Sequence, residues 1–213
     1  MKIKGLLFDL DGVLVTTEHN HFVAWKRTAD ELGVPFTEKE NERLKGISRI
    51  DSLKLIMEMG NVFVSENEFE ALLTSKNEFY LESIQQLNQS DLLPGVLDLL
   101  EKAKGMGVKL GVGSSSKNAN FILNLLGISS YFDVVIDGNG VEFPKPHPEV
   151  FLNGAKALGL EPSECLVFED AASGIKAAKD GGFTAIGVGN AEIATDADVY
   201  FNDLTEFRIE DYA

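Results

Sequence analysis

The sequence has little cysteine, few basic residues and no long hydrophobic run. Its single cysteine, Cys165, cannot build a disulfide framework or a zinc site, so we expect a reducing compartment, the cytoplasm. The net charge of −15, from 19 Lys and Arg against 34 Asp and Glu, argues against nucleic acid and anionic membranes as partners. The apolar runs are too short for a signal peptide or a membrane span, and we expect neither.

What the sequence does contain is an alternation of strand-like and helical segments. A length of 213 residues with 44% hydrophobic and 25% charged residues suits a globular protein of one or two domains. The strand-like apolar runs lie at residues 3–9, 108–114, 133–137, 165–169 and 184–188. Because helical stretches separate the later runs, the pattern predicts an α/β fold with a parallel sheet flanked by helices.

Residues 16–87 differ from the rest, with helical periodicity and no convincing strand. Phe22, Trp25 and Ala29 recur at helical spacing and would form one face of a helix. The sequence predicts two domains. Residues 1–15 and 88–213 form an α/β core, and residues 16–87 form an all-helical insert. An insert that follows the first strand so closely is expected to act as a lid that excludes water.

The first predicted strand ends in two carboxylates. The apolar run Leu6–Phe8 is followed by Asp9 and Asp11, and then by Gly12. Such a run predicts a strand buried on both faces of a parallel sheet, and ligands of these sheets collect at the carboxyl ends of the strands. Two acids placed there repel each other, and a divalent cation with oxygen ligands, Mg²⁺, would offset their charge. The alternative is an Asp-Gly turn after a core strand.

A run of serines predicts an anion site. Ser114, Ser115 and Ser116 precede Lys117 and Asn118 between a predicted strand and a helix, where backbone N–H groups can face an anion such as a phosphoryl group. The alternative is an ST-turn with a serine N-cap. The glycines just before this run suggest a dinucleotide fingerprint, but Ser116 occupies the third glycine position. No Walker A pattern occurs either, so we discount nucleotide binding.

Two further segments place charge at defined positions. Pro144 and Pro146 restrict the backbone on both sides of Lys145 and would hold its side chain in a fixed direction. The alternative is an ordinary surface lysine. Glu169 and Asp170 end another apolar run, so two strand ends together could complete an oxygen cage for a metal. For Asp170 the alternative is a helix N-cap.

These four segments, in this order, resemble the haloacid dehalogenase-like phosphotransferase superfamily, and the helical insert is similar to the cap domain of that superfamily. The resemblance covers the whole chain. It implies that Asp9 is the nucleophile that becomes an aspartyl phosphate and that Asp11 is the general acid and base. Ser114 and Lys145 would hold the transferring phosphoryl group. The implied Mg²⁺ ligands are the Asp9 carboxylate, the Asp11 backbone carbonyl and Asp170, with Glu169 alongside.

Within this superfamily, the chain resembles the β-phosphoglucomutase family. The similar segments are His21–Lys26, Leu44–Arg49 and Ser75–Asn77 in the insert, and Ser116–Asn118 in the core. That family interconverts β-D-glucose 1-phosphate and β-D-glucose 6-phosphate through a 1,6-bisphosphate, which requires a grip on a second, non-reacting phosphate. The implied substrate-binding residues are His21, Trp25, Gly46, Arg49, Lys76, Ser115, Ser116, Lys117 and Asn118. Taken singly, each basic residue could equally belong to a solvated helix face, and Trp25 could belong to the core of the insert.

Three functions compete for this pattern. A mutase passes the phosphoryl group to a sugar hydroxyl, a phosphatase of the same superfamily passes it to water, and a sugar-phosphate-binding regulator would have no activity. Arg49 and Lys76 favour the mutase, and the presence of every implied catalytic residue argues against the regulator. We expect a small phosphorylated sugar as partner and a monomeric protein. The chain departs from the family pattern at Thr16, where relatives often carry an acid, and in Asp137–Phe143.

Overall fold

The structure is a computed structural model that describes residues 3–44, 47–189, 192 and 196–212. The chain forms two compact units. The core unit comprises Met1–Thr16 and Leu87–Ala213, and the helical unit comprises Thr17–Gln86.

The core unit contains the predicted parallel sheet. Its six strands among the described residues are β1 Gly5–Phe8, β2 Lys109–Gly113, β3 Val134–Ile136, β4 Cys165–Glu169, β5 Thr184–Val188 and β6 Val199–Phe201. Their order is β3-β2-β1-β4-β5-β6, and every neighbouring pair is parallel. The α/β prediction is therefore confirmed. The sequence analysis missed β6, which lies outside the five predicted strand-like runs.

The described residues form eight α-helices. They are α1 Glu18–Glu31, α2 Glu38–Glu42, α3 Arg49–Gly60, α4 Glu66–Ser83, α5 Val96–Gly105, α6 Ala119–Leu125, α7 Glu149–Leu158 and α8 Ala172–Asp180. The first four belong to the helical unit, and the other four lie between strands of the sheet. Among the helices described, none has both the length and the apolar character needed to cross a bilayer.

β1 is buried on both faces, as its continuous apolar run predicts. On one face, Leu7 packs in a cluster with Phe151 of α7 and Ile175 of α8. Because side chains alternate along a strand, Phe8 points to the opposite face. There its ring stacks on Phe168 of β4, with centroids 4.8 Å apart. Packing on both faces fixes the end of β1 and the residues that follow it.

The helical unit has a core of its own. Trp25 of α1 packs in a cluster with Leu53 of α3 and Leu72 of α4, which confirms the predicted apolar face of the first helix. Ser48 starts α3, because its Oγ accepts a hydrogen bond of 3.1 Å from the Asp51 N–H and so caps the helix. The described part of this unit contains no strand, as predicted.

Candidate active site

Three neighbouring strands bring predicted site residues to one edge of the sheet. The register aligns Phe8 of β1 with Phe168 of β4, and the Asp9 N–H donates to the Phe168 carbonyl over 2.9 Å. Ser114 follows β2, the other neighbour of β1, and Glu169 is the last residue of β4. Because the strands are parallel, Asp9, Ser114 and Glu169 all lie at the carboxyl edge of the sheet.

Lys145 is the buried cation of this edge. Its Nζ donates to Asp9 Oδ1 over 2.6 Å and to Glu169 Oε1 over 2.5 Å, and its side chain is 1% exposed. Burial alone opposes the charge, but the two carboxylates outweigh burial and raise the pKa of Lys145 above its ordinary value. Lys145 is therefore a fixed positive charge beside Asp9, and the alternative of an ordinary surface lysine is wrong.

The turn after β1 brings the chain close to Asp170. The Gly12 N–H donates to the Val15 carbonyl over 2.8 Å, and Gly12 has a φ of +85°, which favours glycine. A Cβ at Gly12 would lie 2.1 Å from Asp170 Oδ2, so a side chain there would displace this carboxylate. Burial is the main cause of the raised pKa of Asp9 and of Asp170, and the charge of the nearby Asp11 raises both further.

Three carboxylates form a cluster at this edge that fits a metal ion. One oxygen from each of Asp9, Glu169 and Asp170 lies within 4.8 Å of the others. Burial raises the pKa of Asp9 to about 7 against the opposing charge of Lys145. Burial, together with the neighbouring Glu169, raises the pKa of Asp170 to about 8. This excess of negative charge on hard oxygen donors is the chemistry that a divalent cation satisfies.

The hypothesis that Asp170 caps a helix is wrong. α8 begins at Ala172, and its N-cap residue is Ala171. The Ala171 N–H donates to Glu169 Oε2 over 3.0 Å, while the other oxygen of Glu169 accepts from Lys145. Glu169 is thus held on both sides, and Asp170 is part of the acidic cluster.

The serine loop, Ser114–Asn118, contains the ST-turns that the sequence analysis left open. The Ser116 N–H donates to Ser114 Oγ over 3.1 Å, and the Asn118 N–H donates to Ser116 Oγ over 3.2 Å. The serine N-cap of that alternative is wrong, because Asn118 is the N-cap residue of α6. The side chains range from buried to exposed, with Ser114 buried, Ser115, Ser116 and Asn118 half-buried, and Lys117 exposed. A serine oxygen that accepts one backbone hydrogen bond still has its O–H to donate to an anion.

The helical unit contains a second group of predicted residues around a buried lysine. Lys76 is buried, and its Nζ lies 3.0 Å from His21 Nδ1. The same Nζ lies over the ring of Trp25 at 4.6 Å and over the ring of Tyr80 at 4.7 Å. Burial, followed by the charges of Lys76 and Arg49, lowers the pKa of His21 well below its ordinary value. His21 is therefore neutral and accepts the hydrogen bond from Lys76.

The sequence analysis missed Tyr80. Its ring lies 4.2 Å from that of His21, and its hydroxyl lies 2.9 Å from Thr17 Oγ1. A signal was present, because Tyr80 follows Lys76 by four residues and so shares its face of α4. Of the other predicted residues, Arg49 is half-buried at the first position of α3, and Gly46 lies outside the described residues.

Comparisons with known proteins agree with this architecture. A family model described as haloacid dehalogenase-like hydrolase matches residues 3–182. The β-phosphoglucomutase of Bacillus subtilis is 39% identical over 98% of this chain and 93% of its own. The crystal structure of a β-phosphoglucomutase from Clostridium difficile, 40% identical, matches 98% of this chain and 94% of its own with a TM-score of 0.95. A phosphorylated carbohydrates phosphatase of Thermotoga maritima is 32% identical over 86% of this chain and 84% of its own. With the parallel sheet and the acidic strand ends in place, these matches show that the chain belongs to the haloacid dehalogenase-like hydrolase family.

Proposed function

We propose that the chain is a β-phosphoglucomutase, which interconverts β-D-glucose 1-phosphate and β-D-glucose 6-phosphate through a phospho-aspartate and a 1,6-bisphosphate. The observation that carries phosphoryl transfer is the buried Asp9 carboxylate, 2.6 Å from Lys145 Nζ and grouped with two further acids. The sugar specificity is supported by the similarity to β-phosphoglucomutases over 98% of the chain.

The core unit supplies the reacting groups in this proposal. Asp9 attacks phosphorus and carries the phosphoryl group covalently, which divides a difficult transfer into two easier steps. Asp11 removes the proton from the sugar hydroxyl that accepts the phosphoryl group, and returns a proton to the leaving oxygen in the reverse step. Ser114 and Lys145 hold the phosphoryl oxygens, whose charge is the main obstacle to transfer.

Mg²⁺ is the proposed cofactor. The Asp9 carboxylate, the Asp11 backbone carbonyl and Asp170 would hold it, with Glu169 alongside. When bound, it supplies positive charge to the phosphoryl oxygens and to the acidic cluster. The three clustered carboxylates support this assignment.

Stabilisation by Mg²⁺ should increase with pH. The folded-state pKa values of Asp9 and Asp170, about 7 and about 8, exceed the ordinary value of 3.8, so without metal these acids lower the free energy of unfolding as pH rises from about 4 to about 8. Mg²⁺ opposes that repulsion, so we expect it to raise Tm more at about pH 8 than at about pH 6. Thermal denaturation with and without Mg²⁺ measures this. An equal shift at both pH values, or one that survives in Asp170→Asn, would contradict the assignment.

The helical unit supplies the grip on the second phosphate in this proposal. Arg49 stands at the first position of α3, where the helix dipole already attracts an anion and disfavours a cation. An arginine at this position is favourable when its guanidinium and the helix N-terminus bind the same anion. A guanidinium binds phosphate through two parallel hydrogen bonds. Lys76 is proposed to bind sugar hydroxyls, and His21 is proposed to belong to the same substrate-binding group. Trp25 is proposed to form the wall that faces the substrate.

Replacing Arg49 by alanine should weaken binding of the bisphosphate. Loss of a charged hydrogen bond costs about 1.5–3 kcal/mol, which is a rise of about 10- to 150-fold in Kd. Isothermal titration with the 1,6-bisphosphate measures the change. Arg43→Ala, which removes an exposed arginine of the same unit, is the matched control. A bisphosphate Kd equal to that of the control would remove Arg49 from the site.

A phosphatase is the second candidate, favoured by the 32% identity to the Thermotoga maritima phosphatase. The two activities differ in the group that attacks phospho-Asp9, a sugar hydroxyl or water. A coupled assay for glucose 6-phosphate, run beside an assay for released phosphate, separates them. We expect glucose 6-phosphate from β-D-glucose 1-phosphate in the presence of Mg²⁺ and catalytic bisphosphate. Phosphate release alone would establish the phosphatase.

We propose that the protein is a cytoplasmic monomer. Its proposed partner is a small phosphorylated sugar. A net charge of −15 requires that this anionic substrate be attracted by local cations, and we propose Arg49 of the helical unit for this role, with Mg²⁺ as the cation that would offset the acids of the core unit. Light scattering after gel filtration measures the oligomeric state.

A further inference from the structure

The segment Asp137–Gly140, which follows β3, forms a tight turn. The Asn139 N–H donates to Asp137 Oδ1 over 2.8 Å, and the Gly140 N–H donates to the Asp137 carbonyl over 2.9 Å. The first of these is an Asx-turn, which fixes the backbone between a side chain and the residue two positions later. The turn therefore presents the donors of Gly138 and Asn139 in defined directions.

Both donors reach the serine loop. The Gly138 N–H donates to the Ser116 carbonyl over 3.3 Å, and Asn139 Nδ2 donates to the Lys117 carbonyl over 3.3 Å. Asn139 Nδ2 also lies 3.2 Å from Asp137 Oδ2, which orients the amide. Two consecutive carbonyls of the serine loop thus accept hydrogen bonds from one turn. These bonds fix the backbone of Ser116 and Lys117 and so the directions of their side chains.

The approach of the turn to the loop leaves no room for a side chain at Gly138. A Cβ there would lie 2.5 Å from the Ser115 carbonyl oxygen and 3.1 Å from Lys117 Cγ. The first distance is to backbone, which cannot rotate away as a flexible side chain can. Close approach therefore requires glycine at this position.

The other end of the turn is attached to the core unit. Asn153 of α7 donates its Nδ2 to the Gly140 carbonyl over 3.4 Å, and α7 packs on β2 and β3. The turn thus connects a helix of the core to the serine loop. The two groups proposed to hold the transferring phosphoryl group have hydrogen bonds of their own, since the Ser114 N–H donates to the Ile136 carbonyl over 2.9 Å and Lys145 Nζ donates to Asp9 and Glu169.

We propose that Asn139 is a positioning residue that holds the serine loop in its substrate-binding arrangement, with Gly138 permitting the contact. This inference rests on the proposed function, which assigns Ser116 and Lys117 to the substrate. The consequence is selective. Loss of Asn139 should weaken sugar-phosphate binding and leave phosphorylation of Asp9 by a small donor unchanged, because that step needs no contact with Ser116 or Lys117.

The test compares Asn139→Ala and Gly138→Ala with two matched controls. Asn202→Ala removes an exposed amide that bonds Glu206, and Gly105→Ala adds a Cβ that would meet nothing within 4 Å. Three quantities are measured: KM for β-D-glucose 1-phosphate, Kd for glucose 6-phosphate by calorimetry without a phosphoryl donor, and the rate of Asp9 phosphorylation by acetyl phosphate. We expect Asn139→Ala to raise KM and Kd by about 3- to 10-fold, as for one lost hydrogen bond, with the phosphorylation rate within about twofold of wild type.

Asn139→Asp supplies the discriminating variant. It keeps the shape of the side chain but cannot donate to the Lys117 carbonyl, so it should resemble Asn139→Ala. Wild-type affinity in Asn139→Asp, affinities equal to the controls in all variants, or an equal fall in both reactions would each overturn the inference. If the wild type binds glucose 6-phosphate but has no mutase activity, the proposed function fails while the Kd comparison still decides the role of Asn139.

Discussion

Replacing Asp9 by asparagine is expected to lower turnover by more than about 10⁴-fold while the protein remains folded. An amide cannot form the acyl phosphate, so the covalent step is lost rather than slowed. The fold should persist because the backbone hydrogen bond from residue 9 to Phe168 does not use the side chain. Lys145 also keeps Glu169 as its partner.

Mass spectrometry provides the decisive measurement for this variant. Wild-type protein incubated with the bisphosphate or with acetyl phosphate should gain one phosphoryl group, and Asp9→Asn should gain none. The matched control is Asp180→Asn, which removes an exposed carboxylate paired with Lys176 and should retain full turnover. Substantial turnover by Asp9→Asn, with the intact asparagine verified in the same spectrum, would exclude Asp9 as the nucleophile.

The part of the site that lies at the strand ends could be predicted from the sequence. Apolar runs that stop at Asp9 and at Glu169 define buried strands and place the acids at the carboxyl edge, since parallel strands share that edge. Pro144 and Pro146 indicated that Lys145 has a fixed direction, and the structure buries its side chain. These signals are local, and each needs only a few neighbouring residues to be recognised.

The contacts between distant segments could not be predicted in the same way. The cation–π contact between Lys76 and Trp25 depends on how α1 and α4 pack, and spacing along one helix does not reveal that. The hydrogen bond from Asn139 to Lys117 joins two loops that follow different strands. The sequence analysis singled out Asp137–Phe143, but only the three-dimensional arrangement shows which loop the turn contacts.

Removal of the Lys145 charge is expected to destabilise the fold as well as abolish activity. Lys145→Met leaves the buried carboxylates of Asp9 and Glu169 without their cation, and breaking a buried ion pair from one side costs about 3–5 kcal/mol. The loss in the free energy of unfolding should be larger at about pH 8 than at about pH 6. Lys145 holds down the pKa of Asp9, so without it that pKa rises further above the ordinary value of 3.8. The penalty then grows as pH rises and diminishes as Asp9 becomes protonated at lower pH.

A second substitution separates the electrostatic cause from loss of packing. Lys145→Met with Glu169→Gln removes one of the two orphaned charges, so urea unfolding at about pH 8 should show a substantial recovery of the free energy of unfolding. Activity should not recover, because the cation that holds the phosphoryl group is still absent. Lys176→Met breaks an exposed pair with Asp180 and should cost at most about 1 kcal/mol. If the double variant were no more stable than Lys145→Met at any pH, the instability would come from lost packing around the lysine stem. In that case the buried charges would not be its cause.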